Sequence, residues 1–165
     1  MKRITLIVLM AFFGATASWA QGTLGKGGTQ LNAGFGFSGF GVPVYLGLDF
    51  GVHEDITIGP KVSYRNYRQR FGGTRYSQSL TVIGFNGNYH FNRLLQLPDQ
   101  WDLYAGLTLA YYIWSSADFP TAEASGIGLE AQIGGRYFFA ENFGINLEFG
   151  GGSISGGGIG ITYIF

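Results

Sequence analysis

Apolar residues recur at every second position through eight separate segments between Leu31 and Phe165, the period of a strand with two unlike faces. In "VPVYLGLDFGV", Val44, Leu46, Leu48, Phe50 and Val52 share one face, and Tyr45, Gly47, Asp49 and Gly51 the other. "ITIGPKVSYR" sets Ile56, Ile58, Val62 and Tyr64 against Thr57, Gly59, Lys61, Ser63 and Arg65. The rule extends to "LNAGFGF", "TVIGFNGNYHF", "DLYAGLTLAYYIW", "GIGLEAQIGGRYFF", "FGINLEFG" and "GIGITYIF". Pro60 cannot donate to a ladder, so it predicts a bulge or an irregular strand at that point.

The charges sharpen this pattern. Asp49, Lys61, Arg65, Asp102, Glu130, Arg136 and Glu148 all fall on the glycine-rich face, and none falls on the apolar one. A charge facing lipid at mid-bilayer costs roughly 2 to 4 kcal/mol, so the segregation is what lipid exposure demands. A soluble eight-stranded barrel that binds an apolar ligand has the opposite sense, with an apolar lumen and a polar exterior. The predicted fold is therefore all-β: a closed, eight-stranded, antiparallel, up-and-down transmembrane β-barrel.

The first residues supply an export route. "MKR", the apolar run Ile4 to Phe13 and the small residues of "ASWA" have the layout of a cleavable signal peptide. This divides the chain into residues 1–20, a leader, and residues 21–165, a single barrel domain. There is no cysteine, hence neither a thiol for an N-terminal lipid anchor nor a disulfide framework. Losing Lys2 and Arg3 leaves eight basic residues against ten acidic ones, too balanced for a nucleic-acid partner. Charged residues make up only 12% of the chain, about half the usual share. No apolar run after Phe13 is long enough for a membrane helix.

Two stretches carry a family resemblance. The hairpin "GGRYFFAENFGINLEFG" and the last strand, with Ile159, Ile161, Tyr163 and Phe165 on one face, resemble the small outer-membrane β-barrel family of Gram-negative bacteria, typified by outer-membrane protein X and the barrel domain of outer-membrane protein A. That resemblance implies residence in the outer membrane among its lipids and lipopolysaccharide. It also implies recognition of the terminal strand by the outer-membrane assembly machinery. By the family pattern the turns at 53–55, 92–101 and 140–142 face the periplasm, and the connections at 38–41, 66–77, 115–124 and 151–155 face outside. The turn "NRLLQLPDQW" is unusually long and apolar for its side.

Eight strands enclose a space that side chains can fill. The seven inward charges are expected to form a network, Asp49 with Lys61 and Arg136 with Glu148 standing close enough across their hairpins to meet. A narrow ion path is the alternative. Some family members are lipid A deacylases or palmitoyl transferases that use histidine, serine and a carboxylate. Both histidines here, His53 and His90, lie at the periplasmic end, away from an outer-leaflet substrate. No catalytic residue, metal site or cofactor is expected, and "GGGSISGGG" lacks the helix and lysine of a phosphate loop. "RNYRQRFGGTRY" holds four of the eight basic residues left after residue 20. Arg65 points inward, while Arg68, Arg70 and Arg75 are candidate contacts to lipopolysaccharide phosphates. The surface role is expected to be envelope integrity, adhesion or lipopolysaccharide contact, with no particular extracellular partner legible.

Overall fold

The computed structural model describes residues 24–39, 41–71, 74–116, 125–151 and 156–165, and of 68–71, 74–76, 116 and 151 the backbone alone. The expected leader at 1–20 and most of the 115–124 and 151–155 connections lie outside these residues. The strands are β1(Thr29–Phe37), β2(Val44–His53), β3(Ile56–Phe71), β4(Thr74–His90), β5(Trp101–Ser116), β6(Gly126–Phe138), β7(Phe143–Gly151) and β8(Gly157–Ile164), with one helical turn, α1(Asn92–Leu95), between β4 and β5. Each strand pairs antiparallel with the next, and β1 closes on β8 from Gln30↔Ile164 to Phe37↔Gly157. No edge is left open around the barrel wall, which is how a sheet satisfies its backbone groups in lipid. Among the described residues no helix is long and apolar enough to cross a membrane.

The barrel is inside-out. Buried side chains are mostly polar, including Gln30, Asn86, Asn88, Gln132 and Asn146 as well as the charged Asp49, Asp102 and Arg136. The large apolar residues instead stand outward, as Phe35, Leu46, Ile83, Leu109, Leu129, Ile133 and Phe149 do. Water would oppose this arrangement and hydrocarbon favours it. Inside, one apolar cluster of Leu80, Ala110 and Tyr112, backed by Val82 and Trp114, occupies the lumen toward the β4–β5 rows Leu80↔Trp114 and Val82↔Tyr112.

Some inner-face glycines make room for tyrosines. A Cβ on Gly128 would meet the Tyr112 ring at 2.5 Å, and one on Gly134 would strike Tyr104. At Gly34 and Gly158 a Cβ would first meet backbone, the Ile159 oxygen at 2.2 Å and the Phe35 oxygen at 2.8 Å, and then the Tyr45 side chain at 2.8 and 3.0 Å.

One expectation is met in part and another needs correcting. At Pro60 the strand is irregular but not bulged: Gly47↔Lys61 and Phe50↔Ile58 keep the same register on either side of it, and Pro60↔Phe85 is regular toward β4. Its missing N–H affects only the β2 side, where Leu48 and Asp49 drop out of the ladder and Gly59 approaches the Leu48 carbonyl too closely to carry a Cβ. The register shift lies at Gly51/His53 instead. Likewise, residues 66–77 are mainly strand, because β3 and β4 pair as far as Phe71↔Thr74. β2 leaves β3 at Tyr64 and β5 leaves β4 at Gln78, so a two-stranded ribbon projects past the rest of the wall.

Candidate functional site

Inward parity places Asp49 on β2, Lys61 and Arg65 on β3, Asp102 on β5, Glu130 and Arg136 on β6, and Glu148 on β7. The pairing differs from the expected one. Lys61 Nζ donates to Glu148 Oε1 at 2.6 Å, while Arg136 donates to Asp49 Oδ2 at 2.8 Å and to Asp102 Oδ2 at 2.6 Å. Lys61–Glu148 and Arg136–Asp49 thus cross the lumen between non-adjacent strands, while Arg136 and Asp102 are direct register partners on β5 and β6. The lumen of an eight-stranded barrel is narrow enough for long side chains to reach the facing wall.

Around Arg136 the network is complete. Asn32 and Asn86 donate to Asp49 at 2.9 Å each. The Arg136 guanidinium also lies over the Tyr104 ring, 4.2 Å from its centroid, and the Tyr104 hydroxyl donates to Glu148 Oε2 at 3.0 Å. Lys61 stands 5.2 Å from the centre of Tyr45, whose hydroxyl donates to Asn146 Oδ1 at 2.6 Å. Nearer the apolar cluster, Tyr112 donates to Glu130 at 2.8 Å and Arg65 bonds Ser38. Two cavities flank the Lys61–Glu148 pair, about 60 and 20 Å³ in volume, and both are lined by Tyr45, Lys61, Gln132 and Glu148. A single water needs roughly 10 to 15 Å³ by the same measure, so each has room for at least one.

At the other end of the lumen the register assembles a chain that the sequence did not reveal. His90 Nδ1–H donates to Asp102 Oδ1 at 2.7 Å, and His90 Nε2 lies 2.9 Å from Thr57 Oγ1. Hydroxyl, imidazole and carboxylate stand in the order of a nucleophilic triad. All three are buried, the second Asp102 oxygen is taken by Arg136, and neither lumen cavity is lined by Thr57 or His90. Thr57, His90 and Asp102 are each no more than 2% exposed. The pairings Ile56↔Tyr89 and His90↔Tyr104 bring these residues together, and sequence spacing carries no trace of them. His53, by contrast, ends β2, 3.9 Å from Asp55 in the turn. Among the described residues no three His, Asp or Glu side chains converge as a metal site requires.

The three candidate arginines lie on the projecting ribbon. Arg70 pairs with Arg75 and Arg68 with Ser77, positions that continue the register row of Tyr64↔Thr81 beyond the lipid-facing band. Their side chains lie outside the described residues. In β8, Ile159 and Ile161 stand outward, Tyr163 stacks edge-on with Phe165 at 5.2 Å, and the Phe165 N–H donates to Thr29 O at 3.0 Å.

No protein-family model matches the chain, and no curated protein matches its sequence. Solved structures do match its fold. OprG of Pseudomonas aeruginosa superposes with a TM-score of 0.67 at 12% identity, over 88% of this chain and 99% of that one. Neisserial surface protein A gives 0.62 at 14%, over 84% and 96%, and the N-terminal β-barrel domain of P. aeruginosa OprF gives 0.61 at 15%, over 86% and 99%. Ail of Yersinia pestis, in complex with the heparin analogue sucrose octasulfate, gives 0.50 at 10%, over 83% and 93%. At such identities the shared property is architecture. The chain has the fold of the small eight-stranded outer-membrane β-barrels.

Proposed function

We propose that this chain is an integral outer-membrane barrel of a Gram-negative bacterium, exported by its leader, with a filled lumen and a role at the cell surface in envelope integrity, adhesion or lipopolysaccharide contact. The observation that carries the reading is the inverted polarity: a hydrogen-bonded charge network inside and a continuous apolar face outside. The turn end faces the periplasm and the projecting ribbon faces outward, in keeping with the family resemblance. Ile159, Ile161, Tyr163 and Phe165 form the signal read by the assembly machinery.

On the ribbon, Arg68, Arg70 and Arg75 form a polyanion contact for lipopolysaccharide phosphates. Like charges directly opposite on a ladder repel, and an anion between them reverses the sign. That Ail was solved with a sulfated polyanion lends support from a similar fold. Replacing the three arginines with alanine is expected to weaken lipopolysaccharide binding by the purified barrel and to raise the detergent sensitivity of cells. Unchanged values for both would leave the ribbon an ordinary solvated loop.

The two cavities beside Lys61 and Glu148 favour one second reading, a narrow ion conductor. The closed layer of Asp49, Arg136, Asp102 and His90 weighs against it. Steady ion-selective steps from the purified protein in a planar bilayer would decide for conduction. A lipid A enzyme is the weakest alternative, and acyl-chain release that His90→Ala abolishes would establish it.

A further inference from the structure

The β2–β3, β4–β5 and β6–β7 turns share one end of the barrel, and the middle one departs from the other two. Residues 53–55 and 140–142 are mainly polar, and His53, Glu54 and Glu141 are exposed, as water requires. Between β4 and β5 the chain instead forms α1 and presents Leu94 and Leu95, 68% and 54% exposed.

These leucines are held firmly. The Asn92 side-chain oxygen accepts from Leu103 N–H at 3.1 Å, and its amide donates to the Trp101 carbonyl. Leu95 N–H donates to Phe91 O at 2.8 Å, and Phe138 N–H on β6 donates to Gln100 O at 2.8 Å. On one side of α1, Arg93 binds both carboxylate oxygens of Asp55 in the β2–β3 turn. On the other side, Leu95 borders the same outward depression of the wall as Phe91, Trp101, Leu103 and Tyr137. The polar side of α1 is thus turned to its neighbouring turn, and its apolar side runs on from the outward face of β5 and β6. In water, such a fixture only keeps apolar surface exposed.

Aromatic residues mark the level at which α1 stands. Tyr89–Phe91 at the end of β4, Trp101–Tyr137 across β5 and β6, and Phe139–Phe143 across the next turn stack with centroids 5.1, 4.8 and 5.2 Å apart. Rings at the rim of a membrane barrel sit at headgroup level. The chain leaves the wall at Phe91 and re-enters it at Trp101, so α1 lies among these rings.

We propose that α1 is an interfacial foot, with Leu94 and Leu95 buried at the headgroup–acyl boundary of the turn-side leaflet and the lipid surface as their partner. Continuity selects the bilayer. The leucines adjoin a wall that faces hydrocarbon and stand between rings of interfacial type, so lipid covers them without a further component. The proposal rests on the membrane reading and is independent of any role for the ribbon.

The chain has no cysteine, so single ones can be introduced as unique attachment points. The full-length mature protein is reconstituted in phosphatidylcholine vesicles with a nitroxide spin label at Leu94→Cys, Leu95→Cys, Glu54→Cys, Glu141→Cys or Leu107→Cys. Collision with oxygen, which concentrates in hydrocarbon, is compared with collision with a water-soluble nickel chelate. Leu107 stands in the middle of the outward face of β5, and a label there that meets nickel more than oxygen would count against the membrane barrel itself. With Leu107 in hydrocarbon, the labels at 94 and 95 are expected to favour oxygen, at a depth of about 5 to 10 Å below the phosphates. Those at 54 and 141 are expected to favour nickel. Labels at 94 and 95 that favour nickel as strongly as the one at 54 would place α1 in water and overturn the foot. Labels there shielded from both reagents would overturn it in favour of a protein contact, and dipolar broadening that fades on dilution with unlabelled protein would identify that contact as a second copy.

Discussion

Arg136 stands at the centre of the buried network, 3% exposed and bonded to two carboxylates that are themselves covered. Removing one partner of a buried ion pair leaves the other charge without compensation, which costs about 3 to 5 kcal/mol. Arg136→Met is therefore expected to lower the free energy of unfolding, read from urea titration in lipid vesicles, by that amount, and adding Asp102→Asn to recover part of it. The turn end supplies a pH effect. The hydrogen bonds from Arg93 hold the Asp55 carboxyl below the usual carboxylate range. A group depressed in the fold contributes stability above its unfolded value of about 3.9, and that contribution is lost as pH falls through the lower folded value. The protection factors of the Leu95 and Leu97 amides, taken relative to the intrinsic exchange rate at each pH, should accordingly fall below about pH 4. In Asp55→Asn they should already be lower at neutral pH and lack this acid step. The participation of Asp49, Arg136 and Glu148 in a network follows from residue type and strand parity. Their partners do not, because a cross-lumen contact depends on the barrel's diameter and stagger.

Strand β3 shows what an element adds to its residues. Gly59 and Gly47 are both inward glycines of one hairpin, and sequence alone treats them alike. A Cβ at Gly47 would sit 3.6 Å from the Pro60 carbonyl oxygen, an ordinary contact, whereas one at Gly59 would overlap the Leu48 carbonyl. Gly59→Ala is expected to destabilise the barrel by about 1 to 3 kcal/mol and Gly47→Ala by much less, as read from urea unfolding on unboiled gels. Equal effects would mean that glycine serves chain flexibility here rather than close approach. The projecting ribbon is likewise an element property: alternation continues through Tyr67 and Gln69, but arginines and glycines in the stretch mimic a loop. Pairing with β4 outweighed that local signal, as Tyr67 bonding to Gln78 illustrates.

For the whole molecule, closure decides behaviour. A barrel whose strands all pair should migrate differently before and after boiling in detergent, and resist protease in membranes. The Asp49–Arg136–Asp102–His90 layer should keep planar-bilayer conductance free of steady steps, and Arg136→Ala is expected to be the change that lets ions through. Conductance in the unaltered protein would show that this layer opens. The same closure explains the outward apolar face, since a sheet with no edge in lipid has only its side chains left to meet the hydrocarbon.

The sequence by itself determined the number of strands, their faces and the inverted polarity, because a period of two and the placement of charges are local and survive any change of register. It marked out His90 and the long apolar turn without assigning either a role. Tertiary structure decided the rest: which charges pair, that Thr57, His90 and Asp102 meet, that some glycines seat tyrosines, and that Asn92 and Arg93 fix the long turn to the barrel. These depend on register, stagger and the distance across the lumen, quantities that couple residues as far as 130 positions apart, as Asn32 and Thr162 are.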